Sequence, residues 1–120
     1  MIEDSNTEIS YSFRMSMDSD KYIDDFKILF SNHEIIIGKL FSDKSKPVVV
    51  LELDKNINLN ILDEFMKNHK AEILSYDFFI SMVTSYYEYI IDLPAYVIEG
   101  IRRFGGTVSF SYTFICMDED

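Results

Sequence analysis

Two histidines and one cysteine, His33, His69 and Cys116, are the side chains that could bind a metal or act as a nucleophile. A structural zinc site needs four Cys and His ligands in close array, and one cysteine with two widely separated histidines does not supply it. Both histidines fall near expected helix ends, where partial positive charge is favoured. Cys116 continues the apolar register of Phe114 and precedes Asp118, Glu119 and Asp120. A reactive thiolate needs an electropositive setting, so a buried, inert thiol is expected. Gly105-Gly106 follows a helix-like stretch and leads into a strand-like one. Phosphate loops run the other way, into a helix N-terminus, and neither a Walker motif nor GxGxxG is present. Carboxylates are abundant enough that some pair always looks catalytic: Glu52 with Asp54 shares one strand face, and Asp63-Glu64 falls on an expected helix. Nothing in their spacing sets either pair beside a second buried acid, as general acid–base catalysis would want. The expectation is a non-enzymatic chain without metal or cofactor.

Two surface features carry more information. Asp20 and Asp24 stand four residues apart, with Asp25 adjacent, on an expected first helix. Like charges at that spacing cost a few tenths of a kcal/mol, roughly, although the dipole at a helix start offsets this. The cluster is either purely local or half of an electrostatic interface. The second feature is Tyr86-Tyr87-Glu88-Tyr89. In a strand, alternate residues face opposite sides, so some of these tyrosines would be exposed beside an acid. Tyrosine beside carboxylate resembles a protein-binding hot spot. Packed rings with surface hydroxyls are the plainer alternative.

The elements that must position these residues come from one domain, 1–120. The chain has 120 residues, 48% hydrophobic and 15% aromatic, which is enough for a core without a metal or disulfide staple. Its formal net charge is −10. Such a field repels nucleic acid and anionic membrane and speeds encounter with basic partners. It also serves solubility alone. A single cysteine forbids an internal disulfide. The start, Met1-Ile2-Glu3-Asp4-Ser5-Asn6, lacks the basic and apolar regions of a signal peptide. No apolar run is long enough for a membrane span, so a cytoplasmic address is expected. Monomer and homodimer both stay open.

Ile9, Tyr11, Phe13 and Met15 alternate with polar residues, a strand with one buried face. Asp18-Ser19 reads as an N-cap to a helix with Tyr22, Phe26, Leu29 and Phe30 inward, ending near Asn32-His33. Strands follow at Glu34–Phe41 and Val48–Leu51, around a turn at 42–47. Ile61, Leu62, Phe65 and Met66 mark a second helix reaching about Leu74. Asp77–Ile91 reads as one long strand, bulged at Thr84-Ser85, or as a hairpin. Pro94 starts a third helix, and Gly105 ends it in the left-handed region. Val108, Phe110, Tyr112, Phe114 and Cys116 form the buried row of a last strand. The order β-α-β-β-α-β-α-β predicts an α+β fold. Its first six elements match a ferredoxin-like sheet with helices on one face, extended by a C-terminal α-β unit. Residues 1–7 and 117–120 are expected to be flexible ends.

The segment Ile91-Asp92-Leu93-Pro94-Ala95-Tyr96-Val97-Ile98-Glu99-Gly100-Ile101-Arg102-Arg103-Phe104-Gly105-Gly106-Thr107-Val108-Ser109-Phe110-Ser111-Tyr112 resembles the close of a bacterial small-protein domain family of unassigned function. Leu-Pro, a short helix, a Gly and an alternating polar–aromatic strand carry the resemblance, and Ile9–Met15 fits the opening strand. The middle lacks that family's Gly- and Trp-containing segment. The match covers half the chain, and its motifs are structural, so it transfers no functional residue. In size, acidity and lack of an active site the chain also resembles immunity proteins of contact-dependent growth inhibition and polymorphic toxin systems. That resemblance implies neutralisation of a cognate toxin domain, often a basic nuclease. The expected partner-binding residues are Asp20, Asp24, Asp25, Tyr86, Tyr87, Glu88 and Tyr89. The alternative function is a non-enzymatic module binding a ligand or peptide on its sheet face or an open edge.

Overall fold

The computed structural model describes residues 7–86 and 90–115. It is an α+β structure, a five-stranded mixed sheet with three helices. β1 (Thr7–Met17), α1 (Ile23–Leu29), β2 (Ile35–Lys39), β3 (Pro47–Glu52), α2 (Leu59–Asn68), a 3₁₀ turn (Lys70–Glu72), β4 (Ile73–Thr84), α3 (Ala95–Phe104) and β5 (Thr107–Phe114) follow one another along the chain. The sheet order is β2-β3-β1-β4-β5. β1 runs antiparallel to β3 and β4, β2 antiparallel to β3, and β5 parallel to β4.

Strand alternation decides which face is dry. Phe13 stands opposite Leu51 on one side and Phe78 on the other, and Met15 opposite Val49 and Tyr76. Phe13, Met15, Leu51, Val49 and Phe78 are all buried, and Phe26 and Phe30 of the α1 region with Leu62 and Phe65 of α2 join the same cluster. α3 adds Val97, Ile101 and Phe104. Its Gly100 lies where a Cβ would come within 2.9 Å of the Phe78 ring, so the helix rides close on β4. The opposite face holds Ser12, Arg14 and Ser16 of β1. There Arg14 makes a two-pronged ion pair with Asp77, and Ser109 of β5 donates to the same carboxylate.

Several boundaries differ from the sequence reading. Thr7, grouped with the N-terminal end in the sequence reading, belongs to β1, opposite Thr84, with its hydroxyl bonded to that of Thr84. Residues 1–6 and 116–120, Cys116 among them, lie outside the described residues. α1 begins only at Ile23 and stops at Leu29, and the position before it is Tyr22, with no side-chain cap. Asp18 instead binds Lys46 at 2.9 Å, and its N–H reaches Glu72 O. The second helix ends at Asn68, a 3₁₀ turn intervenes, and β4 starts at Ile73.

β4 stops at Thr84 rather than running to Ile91, and residues 90–94 have no regular structure. The described ladder pairs Thr84 with Thr7, the first described residue, and Ser85 and Tyr86 are not part of a strand. No second strand of a hairpin is present between Thr84 and Ala95 among the described residues, and the register irregularity falls at Ser16/Met17 rather than at Thr84-Ser85. β5 also departs from expectation. Val108, Phe110, Tyr112 and Phe114 stay partly exposed, because β5 is the sheet's edge. No helix among the described residues is long and apolar enough to cross a membrane.

Candidate functional site

The most distinctive surface lies between α1 and α2. α2 is well started: the Asn58 side chain accepts from the N–H groups of Asn60 and Ile61 at 3.0 and 3.2 Å, which satisfies orphan donors of the first turn. It then buries Leu62 and Phe65. α1 buries Ile23 and Phe26. The Phe26 ring meets Phe65 edge-on, with centroids 5.0 Å apart, and this contact fixes one helix against the other. His69, at the end of α2, packs its ring between Tyr22 at 4.2 Å and Phe65 at 4.4 Å.

That packing turns two large apolar side chains of α1 outward. Ile28 is 72% exposed and Leu29 46%. They border a groove of about 380 Å³ lined further by Asp25, Ile61, Glu64, Phe65, Asn68 and His69. The lining has two carboxylates and neither lysine nor arginine, and Asp24 stands exposed on the same helix. An exposed apolar pair with an acidic rim has the composition of a protein contact surface, with apolar centre and polar margin.

The expected partner-binding residues are placed as follows. Asp24 and Asp25 are exposed in the first turn of α1, as the charge run suggested. Asp20 is not on the helix but in the preceding loop, where its carbonyl accepts from Ile23 N–H at 3.2 Å. Tyr86 is exposed just past Thr84, its N–H donating to Thr84 Oγ1 and its carbonyl accepting from the Tyr112 hydroxyl. Tyr87, Glu88 and Tyr89 lie outside the described residues. Tyr86 sits at the sheet end where β1 begins, whereas Asp20 follows the other end of β1. An eleven-residue strand is roughly 35 Å long. Asp20 and Tyr86 are therefore not one contiguous patch. Sequence reading missed Ile28, because it falls outside the helical stripe, and it assigned Leu29 to the core. The signal available was the shortness of α1, which has one inward face of only Ile23, Phe26 and the following Phe30.

The acids that could have suggested catalysis lie elsewhere. Glu52 ends β3 beside Glu34, and the hydrogen bond between them, partial burial and the negative charges of Glu34 and Asp54 all push the Glu52 carboxyl up. Both side chains are exposed. His33 is nearby: its Nδ1 is buried without a hydrogen bond, 3.7 Å from Asp54. Among the described residues no group of three or more His, Cys, Asp or Glu is arranged to hold a metal ion. Compared with known proteins, the chain matches no family model, no curated protein and no solved structure.

Proposed function

We propose that this protein is a non-catalytic immunity or inhibitor protein of the cytoplasm, which binds and neutralises a basic toxin domain such as a nuclease. The observation that carries the reading is the groove of α1 and α2, where Ile28 and Leu29 are exposed beside Asp24, Asp25 and Glu64 with neither lysine nor arginine in the lining. The net charge of −10 steers a basic partner inward, and the apolar pair gives the contact a centre that excludes water. The proposal also includes a ferredoxin-like plan for β1-α1-β2-β3-α2-β4. Two split connections support it: β3 lies between β1 and β2, and β1 lies between β3 and β4. β5, parallel to β4 at the edge, is an addition that departs from the plain four-stranded order.

The test is capture of the tagged protein from its own cells at low and high salt, followed by cloning of any basic domain recovered. Expressed alone, that domain should arrest growth, and co-expression with the wild-type protein should restore it. Asp24→Lys with Asp25→Lys should slow association strongly at low salt and little at high salt. Ile28→Ala should speed dissociation instead. Recovery of no basic partner from cells that express their toxin genes would overturn the proposal. An association rate indifferent to the double charge reversal would remove α1 from the interface.

A further inference from the structure

The other flank of α2 carries charge of the opposite sign, against an open strand edge. β4 begins at Ile73, but its neighbour β5 begins only at Thr107, opposite Asp77. Ile73–Tyr76 thus lie against β1 on one side and have no strand on the other among the described residues. Along such an edge, alternate N–H and C=O groups point outward and can pair with another chain; the Ile73 N–H is already given to Lys70 O, so the pairing groups belong to Leu74–Tyr76 and the Ile73 carbonyl. A cavity of about 740 Å³ lies on this edge, between the ends of α2 and α3.

Three cations line it, Lys67, Lys70 and Arg103, against one carboxylate, Asp63. Asp63 already holds Lys67 at 3.0 Å and Arg103 at 3.4 Å, and their hydrogen bonds and charges keep its carboxyl below the usual range. Lys70 has no ion-pair partner among the described residues. Lysines that merely protect an edge project from the strand itself. Here the cations come from α2, the 3₁₀ turn and α3 and line a concave space in a chain whose net charge is −10. The edge is held open by a fixed loop. The Tyr76 hydroxyl donates to Phe104 O at 2.7 Å, and Gly106 packs where a Cβ would stand 2.6 Å from the Tyr76 ring.

We infer that this groove binds an extended acidic peptide, which adds as a strand to Ile73–Tyr76 and sets its carboxylates against Lys67, Lys70 and Arg103. Backbone pairing supplies the affinity, and the cations select acidic side chains. The site is separate from the α1–α2 groove and independent of the toxin-binding reading.

The probe is a labelled seven-residue peptide of alternating threonine and glutamate, followed by fluorescence anisotropy on the full chain. Saturable binding is expected, with no binding of the same peptide carrying lysine for glutamate. Lys70→Glu, an exposed position, should weaken binding by about tenfold or more while circular dichroism stays unchanged, a loss equivalent to about 1.4 kcal/mol. At high salt, where the change in net charge is screened, Asp24→Lys with Asp25→Lys should leave the peptide affinity at the wild-type level. Methylating alternate backbone nitrogens of the peptide should abolish binding in one of the two registers. The inference is overturned if both methylated peptides bind as well as the parent, if the lysine peptide binds equally, if inorganic phosphate displaces the peptide at matching concentration, or if Lys70→Glu binds normally.

Discussion

The ion pair on the helix-free face of the sheet should be a measurable part of the protein's stability, and its size follows from its partial burial. Arg14 Nε donates to Asp77 Oδ1 at 2.8 Å and Nη2 to Oδ2 at 2.5 Å, while Ser109 Oγ donates to Oδ2 at 2.7 Å. The guanidinium also sits 4.1 Å from the centroid of the Phe79 ring. The Arg14 side chain is 34% exposed and that of Asp77 18%. Fully exposed pairs are worth about 0–1 kcal/mol, and breaking a fully buried one costs about 3–5 kcal/mol. Asp77→Ala leaves Arg14 able to reach water, so the cost should fall between, at about 2 kcal/mol. For a chain of this length that lowers Tm by roughly 7 °C. Arg14→Met and the double variant complete the cycle, with a coupling of about 1–2 kcal/mol expected from urea unfolding. The pH dependence is a second check. Burial pushes the Asp77 carboxyl up, but the hydrogen bonds from Arg14 and Ser109 and the Arg14 charge outweigh it, so its net shift is downward. A folded value below the unfolded one, about 3.9, means the stabilisation is complete above that pH and lost as pH falls through the folded value. The gap in Tm between wild type and Asp77→Ala should therefore be full at neutral pH and close in strong acid. A coupling near zero, or a gap that persists unchanged at low pH, would refute the reasoning.

Gly100→Ala tests whether close packing outweighs helix propensity. The helix gains up to about 1 kcal/mol, but the new Cβ would stand 2.9 and 3.0 Å from two ring carbons of Phe78, which is only 1% exposed and flanked by Phe13 and Phe104. Overpacking of about 1–3 kcal/mol should win, so the urea midpoint should fall; a rise would show that Phe78 yields freely. Glu52→Gln should raise Tm at neutral pH. The Glu52 carboxyl is pushed up chiefly by Glu34, so its favourable contribution is complete in acid and lost as pH rises through the folded value. The gain should vanish in scanning calorimetry well below the ordinary carboxylate range, and an equal gain at all pH values would exclude the Glu34 contact as its cause.

The sequence pattern was legible wherever a strand alternates apolar with polar residues. β1 alternates Phe13 and Met15 with Ser12, Arg14 and Ser16, and Gly105 at φ 66° ends α3 as glycine spacing suggested. What it could not carry was neighbourhood. Val108, Phe110, Tyr112 and Phe114 repeat the alternation of β1, yet they remain partly exposed because β5 is at the edge, and edge position depends on the whole topology. The aromatic run past Thr84 has the composition of a strand, yet its described residues Ser85, Tyr86, Ile90 and Ile91 are in none. For the candidate site, Asp24 and Asp25 were readable as a charge run. Ile28 and Leu29 were not, since helical spacing alone cannot tell an apolar residue with a covering neighbour from one without.

α2 links the two proposed surfaces, and its periodicity sorts their charges. Ile61, Glu64, Phe65 and Asn68 recur at three- and four-residue steps and line the α1 groove. Asp63, Met66 and Lys67, with Lys70 of the following turn, line the β4 groove in the same way. One helix thus presents a face with acid and neither lysine nor arginine on one side and a face with excess cation on the other. A basic protein drawn by the net charge of −10 meets attraction at Asp25 and Glu64 but repulsion at Lys67 and Lys70. Like-charge contact costs affinity in the wrong orientation as surely as opposite charge gains it in the right one. Lys67→Glu with Lys70→Glu would make the whole chain more attractive to a basic partner while removing that discrimination. Net charge alone would then give faster capture, but with the partner held in more than one orientation and a weaker block of its substrate site.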